Sequence, residues 1–441
     1  MSKFQNKIGS KGIFIVVSFI IIALIVDTSI VKISAITGGL SSANSSIAIF
    51  VVMTVIFAVG QYLILGFVGG VSKKNESNEK LPLSAIGKIV SIIQYVLIAI
   101  FVSLILQMLF TSSYNVLFLE VGIWISYILA IALLGFLSQR FLSWFRSHHD
   151  PVVLAYSLAI MMISINAIFT ILYVNNELRN QPANIRPEIT PIGPYASAYG
   201  IFNSGYVITS FMSFILTWVA TVLLLRNYSR KLGTAKYWIL VSIPLVYFLG
   251  QFQPLFLNMF EPFRLSDPIL FGVVYTLFFS ATVPAGAILF GIAFWSVARN
   301  MGRSMVKQYM MISAYGMMLL FSSNQASGLV LAPYPPFGLV TACLTGLSSY
   351  LVLLGIYSSA ISVSEDAKLR QSIRKAAMAD SRILDSIGTA QMEQELQNKV
   401  LTIAKKASNT MTEETGVQTS LTEEDMKQYL DEVIKEIQKK S

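Results

Sequence analysis

Apolar residues run in long unbroken stretches separated by short polar ones, beginning with IFIVVSFIIIALIV and recurring until Ser362. A helix rising about 1.5 Å per residue needs about 20 apolar residues to cross about 30 Å of hydrocarbon, and the stretches have that length. They predict ten spans: Gly12 to Ile33, Ser46 to Val68, Ile89 to Phe110, Val116 to Ser138, Val152 to Val174, Tyr206 to Leu225, Tyr237 to Leu257, Ile269 to Ala298, Tyr309 to Leu331 and Phe337 to Ser362. The eighth contains FFSATVPAGAILFG, where Pro284 and Gly286 allow either one long tilted helix or a kinked one.

After Ser364 the period changes. Leu369, Ile373, Ala376, Ile383, Ile387 and Ala390 fall at four-three spacing, which predicts a short coiled coil continuing out of the tenth span. Gly388 and Thr389 offer a break, after which Met392, Leu396, Val400 and Ile403 form a second amphipathic stretch. SNTMTEETGVQT reads as a polar linker. Ser420 with Glu423 then makes a capping box for a last helix with Met426, Tyr429, Leu430, Val433, Ile434 and Ile437 on one face. The predicted fold is therefore an all-α polytopic transmembrane bundle over residues 1–362 and a cytoplasmic helical tail over 363–441.

Composition agrees. Of 441 residues 54% are hydrophobic and 12% charged, with a mean hydropathy of +0.65. Soluble domains carry about 25% charged residues, so this is an integral membrane protein. The first run follows Lys3, Lys7 and Lys11 as a signal peptide would, but Asp27 follows it with no A-x-A-like site, so it reads as an uncleaved span. Cys343 is the single cysteine and has no partner for an intramolecular disulfide.

The net charge of +9 informs through its placement rather than its size. With a cytoplasmic N-terminus, sixteen Lys and Arg lie in inner segments before the tail, against Lys32, Arg179, Arg186 and Arg264 outside. That bias puts both termini in the cytoplasm of a multi-pass cell-membrane protein. The tail is nearly balanced, twelve Lys and Arg against fourteen Asp and Glu from Ser362 onward, and nothing in the chain calls for nucleic acid. It reads either as a docking element for a cytoplasmic partner or as a solvated segment that sets oligomeric state.

No nucleophile elbow, P-loop, H-E-x-x-H or G-x-G-x-x-G is present, so no enzyme activity, cofactor or metal is expected. His148 and His149 are adjacent, diverge, and read as interfacial loop residues. Polar residues within spans carry more information because hydrocarbon makes them costly. Gln107, Asn166, Gln251, Gln253, Ser323, Asn324 and Gln325 fall in the middle or outer parts of their helices and predict a polar, outward-facing ligand cavity. The alternative is that these groups are interhelical glue worth about 0.6 kcal/mol each. Asp27 and Glu120 are placed near the outer interface. Gly338, Ala342 and Gly346 recur every four residues on the tenth span and, with the heptad tail, predict a homodimer contact.

At SRILDSIGTAQMEQELQNKVLTIAKKAS, together with the spans before it, the chain resembles multi-spanning membrane proteins of ammonia-oxidising archaea, which carry no assigned activity. That resemblance implies an archaeal cytoplasm on the inner side and transfers no functional residue. The sequence thus predicts a sensor-like, receptor-like or scaffold subunit with an outer cavity and a docking tail. Its rival is a small-solute transporter built from two inverted sets of five spans.

Overall fold

The computed structural model describes residues 10–37, 43–73, 82–187, 200–226, 233–250, 266–301, 304–326, 329–330, 332–366, 370 and 382–415. Among these the chain is helical: α1 (Ser10–Thr37), α2 (Ala43–Lys73), α3 (Pro82–Thr111), α4 (Val116–Ser147), α5 (Pro151–Leu178), α6 (Ile201–Leu225), α7 (Thr234–Gly250), α8 (Pro268–Ser280), α9 (Thr282–Asn300), α10 (Met305–Ser323), α11 (Leu339–Glu365) and α12 (Arg382–Thr415). A short antiparallel ladder joins β1 (Tyr114–Asn115) to β2 (Asn184–Ile185).

Eight stretches are long and apolar enough to cross a membrane: α1 to α6, the α8–α9 pair taken together, and α11. The eighth predicted span is one apolar stretch, Ile269–Arg299, in which α8 and α9 meet at Ala281 with right-handed helical backbone angles and Pro284 falls in the first turn of α9. The shorter α7 ends where the described residues end, and α10 is less apolar because Gln308, Tyr309, Tyr315 and three serines dilute it. Burial explains how α10 tolerates that composition. Tyr309 through Ser323 are all buried, so α10 faces protein and needs no lipid-compatible surface. Its partner α11 is enclosed along its whole spanning stretch. By contrast Ile15, Ile22, Ile92, Ile208, Ile239 and Ile269 on the surrounding helices are each more than half exposed, as expected of side chains that meet lipid.

The central pair is held by close backbone approach. A Cβ on Gly355 of α11 would stand 2.6 Å from the Ser313 backbone nitrogen of α10, and one on Gly316 would stand 2.7 Å from the Val352 nitrogen. Only glycine allows helices this near. α11 also packs on α4. Ser126 donates to the carbonyls of Ala342 (3.0 Å) and Cys343 (2.9 Å) and accepts from the Gly346 amide at 3.1 Å.

This contact corrects the expectation for Gly338, Ala342 and Gly346. Ala342 and Gly346 pack inside the chain against α4, which leaves them no face for a second copy. Gly338, at φ 88°, is the N-cap of α11. Asp27 is fully buried within the protein, and its Oδ2 accepts from the Thr341 hydroxyl (2.7 Å) and amide (3.2 Å), bracing the first turn of α11 from α1.

At one end of the bundle, here the hairpin end, the buried Tyr114 donates to the Pro333 carbonyl at 2.8 Å and stacks near Tyr334, which precedes a cis proline. Burial pushes the Tyr114 hydroxyl well above its usual pKa, so it stays a donor. At the other end, the tail end, α11 stops at Asp366. α12 then packs against α11, α4 and α5. Ile383, Ile387 and Ala390 are buried in that contact. The expected coiled coil continuing out of the tenth span is therefore replaced, for these residues, by a helix docked on its own bundle. Leu369, Ile373 and the predicted last helix lie outside the described residues.

Candidate functional site

The C-terminus of α10 supplies the central groups. Asn324 caps the helix, its amide donating to the Leu320 carbonyl at 3.0 Å, and its side chain reaches across to α5 and α4. The Asn324 Nδ2 donates to the Asn166 Oδ1 at 2.8 Å, and the Tyr127 hydroxyl donates to the Asn324 Oδ1 at 3.3 Å. Asn166, fully buried, donates in turn to the Thr209 hydroxyl (3.0 Å) and the Tyr206 carbonyl (3.2 Å) of α6. Three sequence-distant helices are thus joined to the end of α10 by uncharged hydrogen bonds. A buried amide of this kind must be matched to its partners, because each group left unpaired costs about 1–3 kcal/mol.

Beside this network lies a cavity of about 180 Å³. Its walls come from Tyr206, Val207, Ser210, Phe211, Ser213 and Phe214 of α6, Phe248 of α7, Phe279, Thr282 and Val283 around the α8–α9 junction, and Phe321, Asn324 and Gln325. The Phe214 and Phe248 rings stack with centroids 3.8 Å apart, and Phe321 meets Phe214 edge-on at 6.3 Å. Ser213 donates to the Ser210 carbonyl at 2.8 Å and Thr282 to the Phe279 carbonyl at 2.7 Å, which leaves their oxygen lone pairs as acceptors.

Of the residues expected to bind a ligand, Asn324 and Gln325 line this cavity and Asn166 stands directly behind them. Ser323 does not reach it. It is fully buried, donates to the Leu320 carbonyl at 3.3 Å, and contacts the Thr345 hydroxyl. Gln107 is elsewhere, at the end of α3, where its Oε1 accepts the Asn115 amide at 2.9 Å and so pins the start of α4. Gln251 and Gln253 lie outside the described residues.

The aromatic walls went unanticipated, since phenylalanine is common in any apolar run and its spacing does not separate a cavity wall from a lipid face. One signal was present: Thr209, Ser210, Ser213, Thr217 and Thr221 give the sixth span a hydroxyl-bearing stripe at helical spacing. Comparison of the chain with known protein families, with curated proteins and with solved structures found no match.

Proposed function

We propose that this chain is a receptor-like membrane subunit in which occupancy of the cavity near Asn324 is conveyed to the docked tail helix α12, without catalysis. The observation that carries this reading is that α4 and α5 touch the cavity network and the tail at separate points along their lengths. On α5, Asn166 bonds Asn324, while Asp150, which caps the start of the helix, accepts from Ser386 of α12 at 2.7 Å. On α4, Tyr127 bonds Asn324, while Trp144 donates to Gln391 at 3.1 Å and Ser143 accepts from Gln394 at 2.8 Å. Asp150 and Asn166 are separated by roughly 24 Å of helix at 1.5 Å per residue. A rigid helix anchored at both points gives a solute bound at one a mechanical route to the other.

The asymmetric placement of Lys and Arg supports an extracytoplasmic cavity and a cytoplasmic tail. Leu396, Val400 and Ile403, beyond the docked part of α12, are 51%, 42% and 68% exposed, which supports a scaffold role for that stretch toward a cytoplasmic protein or a second copy.

A double-mutant cycle tests the coupling. Asn324→Leu and Ser386→Ala, measured by equilibrium unfolding in mixed micelles, should be non-additive by more than about 0.5 kcal/mol, whereas uncoupled distant sites add within about 0.3–0.5 kcal/mol. Additivity would overturn the reading.

The junction of α8 and α9 at Ala281, with Pro284 one turn on, lies beside the cavity and supports a transporter as the second reading, because Pro-interrupted helices line solute sites in inverted-repeat transporters. Solute flux into proteoliposomes, absent from protein-free vesicles, would establish it over the first.

A further inference from the structure

We infer that the cavity takes a small, uncharged, single-ring solute carrying both a hydrogen-bond donor and an acceptor, of the chemical class of a neutral aromatic carboxamide. The inference rests on the reading of this cavity as a binding site and adds what would fill it.

Size sets the first limit. The cavity measures about 180 Å³. An apolar cavity of about 150 Å³ holds one benzene, so a ring with one polar substituent fits. Charge sets the second. Among the described residues no Asp, Glu, Lys, Arg or His lines the cavity, so an ionic solute would be desolvated with no counter-charge from them beside it. Shape sets the third. Phe211, Phe214, Phe248, Phe279 and Phe321 line the cavity, and a flat π-system gains contact with aromatic walls that an aliphatic solute of equal volume does not.

The polar groups set the fourth limit. The amide of Asn324 is committed to Asn166 and Tyr127. Among the described residues the side-chain amide of Gln325 and the hydroxyl of Ser210 carry no hydrogen bond, and both line the cavity. Gln325 offers a donor and an acceptor, which pair with the acceptor and donor of a carboxamide.

The test is equilibrium binding of radiolabelled benzamide to the full chain in lipid nanodiscs, against benzoate and benzylammonium of nearly the same shape and against protein-free discs. Saturable benzamide binding at least tenfold tighter than either ion is expected. Gln325→Leu, which keeps the volume and removes the amide, should weaken it about tenfold, and Ser210→Phe, which fills the space, should abolish it in protein that remains monodisperse. Ions binding as tightly as benzamide would overturn the inferred class while leaving the cavity a binding site. Benzamide binding unaffected by either variant, or no saturable binding at all, would overturn the inference. The mutant cycle between Asn324 and Ser386 needs no solute, so its failure would count against the receptor reading alone.

Discussion

Replacing Gly355 by valine is expected to destabilise the bundle by about 3 kcal/mol or more, with alanine at the same position falling between valine and the wild type. The side chain would be driven into backbone atoms of α10, the Tyr309 carbonyl and the Ser313 nitrogen, neither of which can turn aside as a flexible side chain can. Because α10 and α11 make the most extensive contact among the described helices, separating them loosens every helix packed on them. Thermal unfolding in detergent measures the effect. Gly69→Val provides the contrast, since a Cβ there meets no atom within 4 Å and the variant should melt with the wild type. Equal losses at the two positions would refute close packing of the central pair.

The second large effect concerns the tail. Trp144 is fully buried, stacks on Tyr357 with centroids 6.3 Å apart, meets Phe141 edge-on at 5.3 Å, and donates to Gln391. Trp144→Ala is expected to cost about 3–5 kcal/mol, the range for deleting a large aromatic from a packed core. Much of that loss falls on the docking of α12, because the same ring anchors Gln391. Gly388 sits in the same contact, where an added Cβ would lie 2.8 Å from the Cβ of Val363, so a larger residue there should lift α12 by a different route. Limited proteolysis between Arg382 and Glu395 should therefore accelerate in both Trp144→Ala and Gly388→Leu. Resistance equal to that of wild type would mean that α12 does not depend on this contact.

How much of this was readable in the sequence depended on whether a residue's environment leaves a mark on composition. Spanning helices were readable because lipid demands an uninterrupted apolar run, and the eight qualifying stretches coincide with predicted spans. The pairing of Asn166 with Asn324 was readable in part, because amides in hydrocarbon must find partners. Gln107 satisfied the same criterion yet serves a helix junction, since spacing alone does not say which amide a neighbour will meet.

The centrality of α10 and α11 was hidden. Glycine, alanine, serine and threonine are interspersed with large apolar residues in both, and those small residues read as closeness to other helices without saying which ones or whether they belong to a second copy. The fold-back of α12 was hidden for a related reason. Ile383, Ile387 and Ala390 mark an apolar stripe, and a stripe is equally suited to a coiled-coil partner or to the bundle it grew from. The sequence from Asp366 to Arg382 holds neither glycine nor proline to announce a change of direction.

A receptor-like role requires the cavity network and the tail to act as one unit. The most direct measurement is amide hydrogen exchange of Arg382–Glu395 in nanodisc-embedded protein, wild type against Asn324→Leu. Coupling of 1–3 kcal/mol, the usual range for linked sites, predicts that exchange in this segment rises by about tenfold although the substitution lies at the far point of α4 and α5. Exchange that rises around Asn324 and stays unchanged across α12 would contradict it.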